Sequence, residues 1–434
     1  MSRFLVGIGK LFVGRTLSVV SNVLVMMLVS RLSGPFGFGV FATVLTTALF
    51  SSIICKFGLE QIAMAEAPRV GNSRPRLFAL VKSILPLFGL GIFLNFSVLL
   101  FSHFSTSFQV YFSTFQLTVY VAVFVTLFSY QFILGEFFRG RGAFFWASLS
   151  KGGMSNSIML VFLAWNYFFY ESSTPDAELL WLSMMMAAGL GALTLTIVFL
   201  SLQWEKDETI ETKPGVKNLF SSGWYFLLIS IMLFLASQSD IWISAYMFGA
   251  TKTGYYAAAA RVVFLATFMA SLVNGLFTPK LAKLANGDDL LQFEDTLRAM
   301  SFINLLVGVI VIFFLMIFAE PIIYVIFGEG FGSSAMLLRI LLFGQVASIL
   351  VGPVGYALIV LHYGKMLSFC VATGLLIGLG AVSIFSIWGL TQEKLAFSFA
   401  LGNITVQLAM FLVLKRQGVS ALPSANKVRE LIYG

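Results

Sequence analysis

Charge is scarce in this chain of 434 residues. Only 11% of them are Asp, Glu, Lys or Arg, against about 25% in an ordinary soluble domain. Apolar residues make up 59%. A water-soluble domain of this size has no interior large enough to hide them. A soluble enzyme, a nucleic-acid binder and a secreted disulfide scaffold are therefore excluded, and the solvent of the fold is the lipid bilayer. Cysteine is nearly absent. Cys55 and Cys370 both lie in apolar runs, which leaves no framework of disulfides. His103 and His362 are the only histidines, and no Cys/His cluster has metal-ligand spacing. No ATP-binding glycine loop precedes a Lys-Ser/Thr pair. No metal and no cofactor are expected. The driving force would be H+ or Na+ coupling, the membrane potential or downstream consumption of a product.

What the chain has is long hydrophobic runs. A spanning helix needs about 20 mostly apolar residues to cross roughly 30 Å of hydrocarbon. Twelve stretches qualify: 10–30, 39–64, 77–100, 110–134, 144–170, 179–203, 219–246, 254–278, 298–319, 334–361, 366–388 and 394–414. They are continuous rather than alternating, so they predict helices and not the strands of a barrel. Lys10 and Arg15 interrupt the first run and no A-x-A-like site follows it, which predicts a retained helix rather than a cleaved signal peptide.

Basic residues set the orientation. With the N- and C-termini in the cytoplasm, 21 of the 27 Lys and Arg residues fall on the cytoplasmic side. Arg31, Lys252 and Lys394 fall outside, and Lys56, Arg261 and Arg339 fall within spans. All seven tryptophans lie near expected span ends, where an amphipathic indole favours the headgroup level.

The polar stretch 205–218 divides the chain into an N-terminal six-helix lobe (1–204) and a C-terminal six-helix lobe (219–414), with a cytoplasmic tail at 415–434. The lobes carry related sequence. Arg31-Leu-Ser-Gly34, Gly39 and Ala42 correspond to Tyr246-Met-Phe-Gly249, Gly254 and Ala257, and Gly58-Leu59 corresponds to Gly275-Leu276. Six spans per half enter from the same side, which predicts a pseudo-two-fold along the membrane normal and a transporter that rocks one half against the other.

A resemblance rests on these residues. The second half reads Asp240-Ile-Trp-Ile-Ser-Ala-Tyr-Met-Phe-Gly249, then Thr253-Gly254-Tyr255-Tyr256, Arg261 and Pro279-Lys280-Leu281. Ile326-Phe327-Gly328 and Ala335-Met-Leu-Leu-Arg339 follow, and the first half contributes Arg31-Leu-x-Gly34 and Phe57-Gly58-Leu59. The chain resembles the multidrug/oligosaccharidyl-lipid/polysaccharide (MOP) exporter superfamily. Within it, the resemblance is to Wzx-type O-antigen and polysaccharide flippases. This implies a MATE-like, all-α, V-shaped bundle with a central cavity. It also implies movement of undecaprenyl-pyrophosphate-linked oligosaccharides from the cytoplasmic to the periplasmic leaflet of the bacterial inner membrane, for lipopolysaccharide or related glycans. A polysaccharide polymerase machinery would act downstream.

Ionisable residues within spans are functional candidates by default. Lys56 and Glu60 stand at i and i+4, so they either neutralise one another or leave Lys56 to meet a pyrophosphate. Asp240 and Arg261 fall at similar depth in consecutive antiparallel spans. They are either a structural ion pair, or a cavity cation with a carboxylate that tunes it or binds a coupling ion. A basic residue near Arg261 is what the resemblance implies for pyrophosphate-lipid carriers. Arg339 either snorkels to the outer headgroups or lines the cavity, and Arg31 is either interfacial or, because it closes a short outer turn, a cavity cation. Basic Arg31, Lys56, Arg261 and Arg339 outnumber acidic Glu60 and Asp240. That balance favours an anionic substrate over the alternative, a MATE-type multidrug exporter coupled to H+ or Na+. Pro353, in Val351-Gly352-Pro353-Val354-Gly355, is a candidate hinge. Tyr255 and Tyr256 are candidates for stacking on sugars, and Gly374-x3-Gly378 for close helix contact.

Overall fold

A computed structural model describes residues 2–70, 73–105, 109–169, 177–202, 216–285 and 290–428. Every regular element among them is helical, and the chain forms two compact units, 1–231 and 232–434. Most of the expected linker, 205–215, lies outside the described residues.

Unit 1 contains α1 (Ser2–Lys56), α2 (Leu59–Val70), α3 (Arg74–Phe104), α4 (Phe115–Gly140), α5 (Phe144–Ser148), α6 (Met154–Phe169) and α7 (Ala177–Leu200), and α8 (Val216–Ala285) begins in it. Unit 2 holds the rest of α8, then α9 (Leu290–Ile317), α10 (Ala319–Phe327), α11 (Ser334–Val351), α12 (Val354–Val360), α13 (Gly364–Ile387) and α14 (Gln392–Arg416).

Nine helices among the described residues are long and apolar enough to cross a membrane. This differs from twelve separate rods for two reasons. First, α1 and α8 each absorb two expected spans. At about 1.5 Å per residue, the 70 residues of α8 would run to about 105 Å if straight, several bilayers deep. They are not straight. Gly249 has φ 77° and ψ 177°, a region open essentially to glycine alone. Thr253 Oγ1 lies 3.3 Å from Ser244 Oγ, whereas nine residues of straight helix would separate them by roughly 13 Å; the chain doubles back. Gly34 breaks α1 with nearly the same angles, φ 63° and ψ −173°, and Pro35 then opens the second arm with its preset φ. The two glycines match at the spacing seen in the sequence. Second, the expected span 144–170 is interrupted by a π turn at Leu149–Gly153, so neither α5 nor α6 is long enough alone.

The distribution of side chains is that of a multi-pass membrane protein. Large apolar residues face outward, among them Phe93, Phe101, Phe369 and Ile387. Polar residues join helices inside. In unit 1, Ser51 donates to Asn95 Oδ1 at 2.6 Å, and Asn95 Nδ2 donates to the Ala122 carbonyl at 3.1 Å. Gln131 donates to the Ala188 carbonyl at 2.6 Å and accepts from Ser155 at 3.0 Å. In unit 2, Asn304 donates to Asn274 at 2.7 Å. The α13–α14 contact expected at Gly374 is present: a methyl group there would fall 2.6 Å from the Gly402 carbonyl. Without hydrophobic drive between helices in lipid, such small-residue contacts and interhelical hydrogen bonds hold the bundle.

Candidate functional site

Most of the candidate ionisable residues of the spans lie in two places, one in each unit.

In unit 1, Lys56 ends α1 with 7% of its surface exposed. Its ammonium sits over the ring of Phe132, 3.9 Å from the centroid, a cation–π contact that gains strength when desolvated. The helical pair with Glu60 is not formed. Phe57 and Gly58 have φ of 49° and 73°, so the helix breaks between the two residues and the i,i+4 relation no longer applies. Glu60 remains within electrostatic reach, but its buried Oε2 accepts no hydrogen bond among the described residues.

The carboxylate that pairs with cations in unit 1 is instead the buried Glu136, which the sequence reading did not single out. It lies four residues after Phe132 on the same face of α4. Lys151 Nζ reaches Glu136 Oε1 at 2.5 Å, and Arg139 reaches Oε2 at 3.4 Å. Lys151 also stands 5.2 Å from the Phe132 ring. The π turn delivers it there, with Gly152 at φ 92°; such turns recur where a helix is bent for function. Ser150 packs so tightly on Gly135 that a methyl group at 135 would overlap its hydroxyl. A phenylalanine followed four residues later by an acid, and the Gly152–Gly153 pair, were the available signals.

In unit 2, Asp240 and Arg261 line one cavity of about 340 Å3 formed by α8, α11, α13 and α14. They are not an ion pair. Asp240, 7% exposed, accepts from the Tyr256 hydroxyl at 2.9 Å and from the Ile241 backbone N–H at 2.9 Å. The half-buried Arg261 guanidinium has no hydrogen-bond or ion-pair partner among the described residues, although the carboxylate acts on it at longer range. Tyr256 is fully buried and so is a partner for Asp240 rather than a platform for sugars. Tyr255 meets Phe331 edge-on at 6.2 Å. Gln238, Gln345 and Asn403 line the same cavity; no spacing along the chain links three amides from three helices.

The remaining candidates lie elsewhere. Arg31 is exposed, three residues before Gly34. Arg339 does not line the Arg261 cavity, contrary to its grouping with the cavity cations. Its guanidinium pairs with Glu320 at 3.1 Å and donates to the Met316 carbonyl at 3.3 Å. The break between α9 and α10 leaves that carbonyl unmatched by its own helix, and Arg339 caps it. Pro353 sits in the break between α11 and α12, after Gly352 at φ 75°. Gly352 is pressed onto Ser301 with no room for a methyl group.

Against known proteins, residues 4–284 match the family described as "Polysaccharide biosynthesis protein". The capsular polysaccharide biosynthesis protein CapF of Staphylococcus aureus is 29% identical over 98 residues. That match spans 23% of this chain and only 25% of CapF. Among solved structures, an inward-facing multidrug resistance MATE family transporter of the MOP superfamily superposes with a TM-score of 0.69 at 12% identity, covering 92% of this chain and 94% of that one. The lipid II flippase MurJ, in an inward closed conformation, superposes with a TM-score of 0.65 at 14% identity, covering 95% and 87%. At these identities the likeness establishes the fold.

Proposed function

Because the chain belongs to the polysaccharide biosynthesis protein family, we propose that it is a flippase. It carries undecaprenyl-pyrophosphate-linked oligosaccharide repeat units from the cytoplasmic to the periplasmic leaflet of a bacterial inner membrane, supplying O-antigen or a related polysaccharide, and does no chemistry on them. The observation that carries this reading is the Arg261 guanidinium, which faces a cavity in an apolar bundle with its charge unpaired. Arginine matches phosphate oxygens with a fork of donors, and Asp240 does not consume them because Tyr256 holds its carboxylate. In unit 1, Lys56, over Phe132, and exposed Arg31 are further cations suited to an anionic lipid headgroup. Both termini and the 205–218 linker face the cytoplasm, the lobes 1–204 and 219–414 alternate in access, the Gly352–Pro353 break is the hinge, and the polymerase machinery takes the product.

A second reading has one observation in its favour. Asp240 is a buried carboxylate lining the same cavity, as an exporter of small cations coupled to H+ or Na+ would require. Deletion separates the two. A flippase mutant loses surface glycan and accumulates lipid-linked repeat units on the cytoplasmic face; normal glycan with altered efflux of cationic dyes selects the exporter. A reporter fused within 205–218 is expected in the cytoplasm, and a periplasmic signal there overturns the orientation.

A further inference from the structure

The wall of the unit 2 cavity carries more than charge. Gln238 and Gln345 line it, and neither amide has a hydrogen-bond partner among the described residues. Asn403 gives its Nδ2 to the Gly344 carbonyl at 3.0 Å, which leaves its Oδ1 available to accept. All three are half-buried. The backbone brings them together. Gln238 lies two residues before Asp240 on α8, and both border the cavity. Gln345 follows Gly344, whose close approach to Ala400, 2.7 Å from a would-be methyl group to Cα, clamps α11 onto α14 beside Asn403.

Unmatched amides in an apolar bundle are costly unless something in the cavity pairs with them. The pattern of donors and acceptors says what. A hydrocarbon chain would use none of these groups. A phosphate accepts only, and a cation takes acceptors only. An amide offers a donor and an acceptor side by side, and the Arg261 guanidinium in the same cavity adds further donors. A neutral ring bearing several hydroxyls uses both kinds at once, and Leu233 and Phe264 supply apolar surface for its C–H face. The volume of about 340 Å3 lies at the small end of ligand pockets, roughly 300–1,000 Å3. It suits one small group rather than a whole oligosaccharide.

We propose that Gln238, Gln345 and Asn403 form a sugar-reading subsite for the sugar attached to the pyrophosphate, beside the phosphate anchor Arg261. The inference rests on the flippase reading and adds a specificity element to it. A site built to hydrogen-bond hydroxyls rejects groups that lack them far more strongly than an apolar pocket discriminates.

The test uses the full-length protein in lipid nanodiscs. The probes are undecaprenyl pyrophosphate, the same lipid carrying one hexose, one deoxyhexose or one N-acetylhexosamine, and the free sugars. Wild type is expected to bind one sugar-bearing lipid at least about 10-fold more tightly than undecaprenyl pyrophosphate. Gln238→Ala, Gln345→Ala and Asn403→Ala are each expected to shrink that preference several-fold while leaving affinity for the sugarless lipid unchanged. Arg261→Ala is expected to weaken every lipid probe by a similar factor. Gln345→Asn keeps the amide and shifts the ranking of sugars, which separates recognition from a folding defect. A ranking that survives all the amide substitutions, or a wild type without sugar preference, overturns the subsite alone. A free sugar bound as tightly as its lipid-linked form reassigns the cavity to soluble sugars and overturns it too. Failure of wild type to bind any of the lipids overturns the flippase reading and the subsite with it.

Discussion

In unit 1, Lys151 reaches Glu136 and Lys56 lies on the face of Phe132. In unit 2, Arg261 and Asp240 share a cavity without touching. Both regions hold cations and carboxylates among apolar helices, and both descend from half-chains that bend at equivalent glycines. The difference is the partner. Glu136 is 3% exposed and receives Lys151 and Arg139 together, so it gathers positive charge into a fixed cluster. Asp240 is engaged by a neutral hydroxyl, so the arginine beside it keeps its donors. Whether an intramembrane ion is available to a substrate depends on which group takes its counter-charge, not on how many ions a span contains.

The largest effect expected from breaking this contrast is at Glu136. Glu136→Ala strands two cations around a buried site. Removal of one partner from a buried pair costs about 3–5 kcal/mol, and the partial exposure of Lys151 and Arg139, 37% and 51%, places the loss at the lower end of that range. Denaturant unfolding in detergent measures it. Stability equal to wild type would mean that the unit 1 cluster is not structural, and the contrast with unit 2 would vanish.

The next effect tests the relation between the halves. Gly34→Ala and Gly249→Ala each force a side chain into a glycine-only conformation, at about 1–3 kcal/mol apiece. No neighbouring atom lies within 4 Å of either added methyl group, so backbone strain alone decides the cost and the two losses should be equal within error. A large inequality would break the equivalence of the two bends.

The smallest effect belongs to Arg339. Its pair with Glu320 is open to solvent, with 39% and 71% of the two side chains exposed. Such pairs are worth at most about 1 kcal/mol. Arg339→Ala is expected to leave unfolding nearly unchanged and translocation at wild-type rate. A loss of transport there would return Arg339 to the substrate path.

Much of this was legible beforehand, for identifiable reasons. The apolar runs read as helices because hydropathy over about 20 residues is a strong signal. Gly34 and Gly249 stood out because only glycine tolerates their backbone angles, so the residue type marks the bend. The Lys56–Glu60 pair misled because it assumed a continuous helix. Phe57 is a bulky residue at φ 49°, and the mark of the break was Gly58 beside it at φ 73°. Glu136 passed unnoticed because an acid near a helix end reads as solvated; a π turn arriving from another helix buries it. The Asp240–Tyr256 bond joins residues 16 apart across a bend, where no helical spacing rule reaches. The three amides of the unit 2 cavity converge from three helices, and only packing brings them to one wall.

The central claim is that the Arg261 guanidinium is a working anion anchor rather than structural charge. The direct measurement is translocation of a fluorescent undecaprenyl-pyrophosphate oligosaccharide across proteoliposomes by wild type, Arg261→Lys and Arg261→Ala, with unfolding temperature recorded for each. The account predicts a rate at least about 10-fold lower for Arg261→Ala, equivalent to roughly 1.4 kcal/mol, partial recovery in Arg261→Lys, and unfolding temperatures close to wild type. Wild-type translocation by a folded Arg261→Ala protein would contradict it.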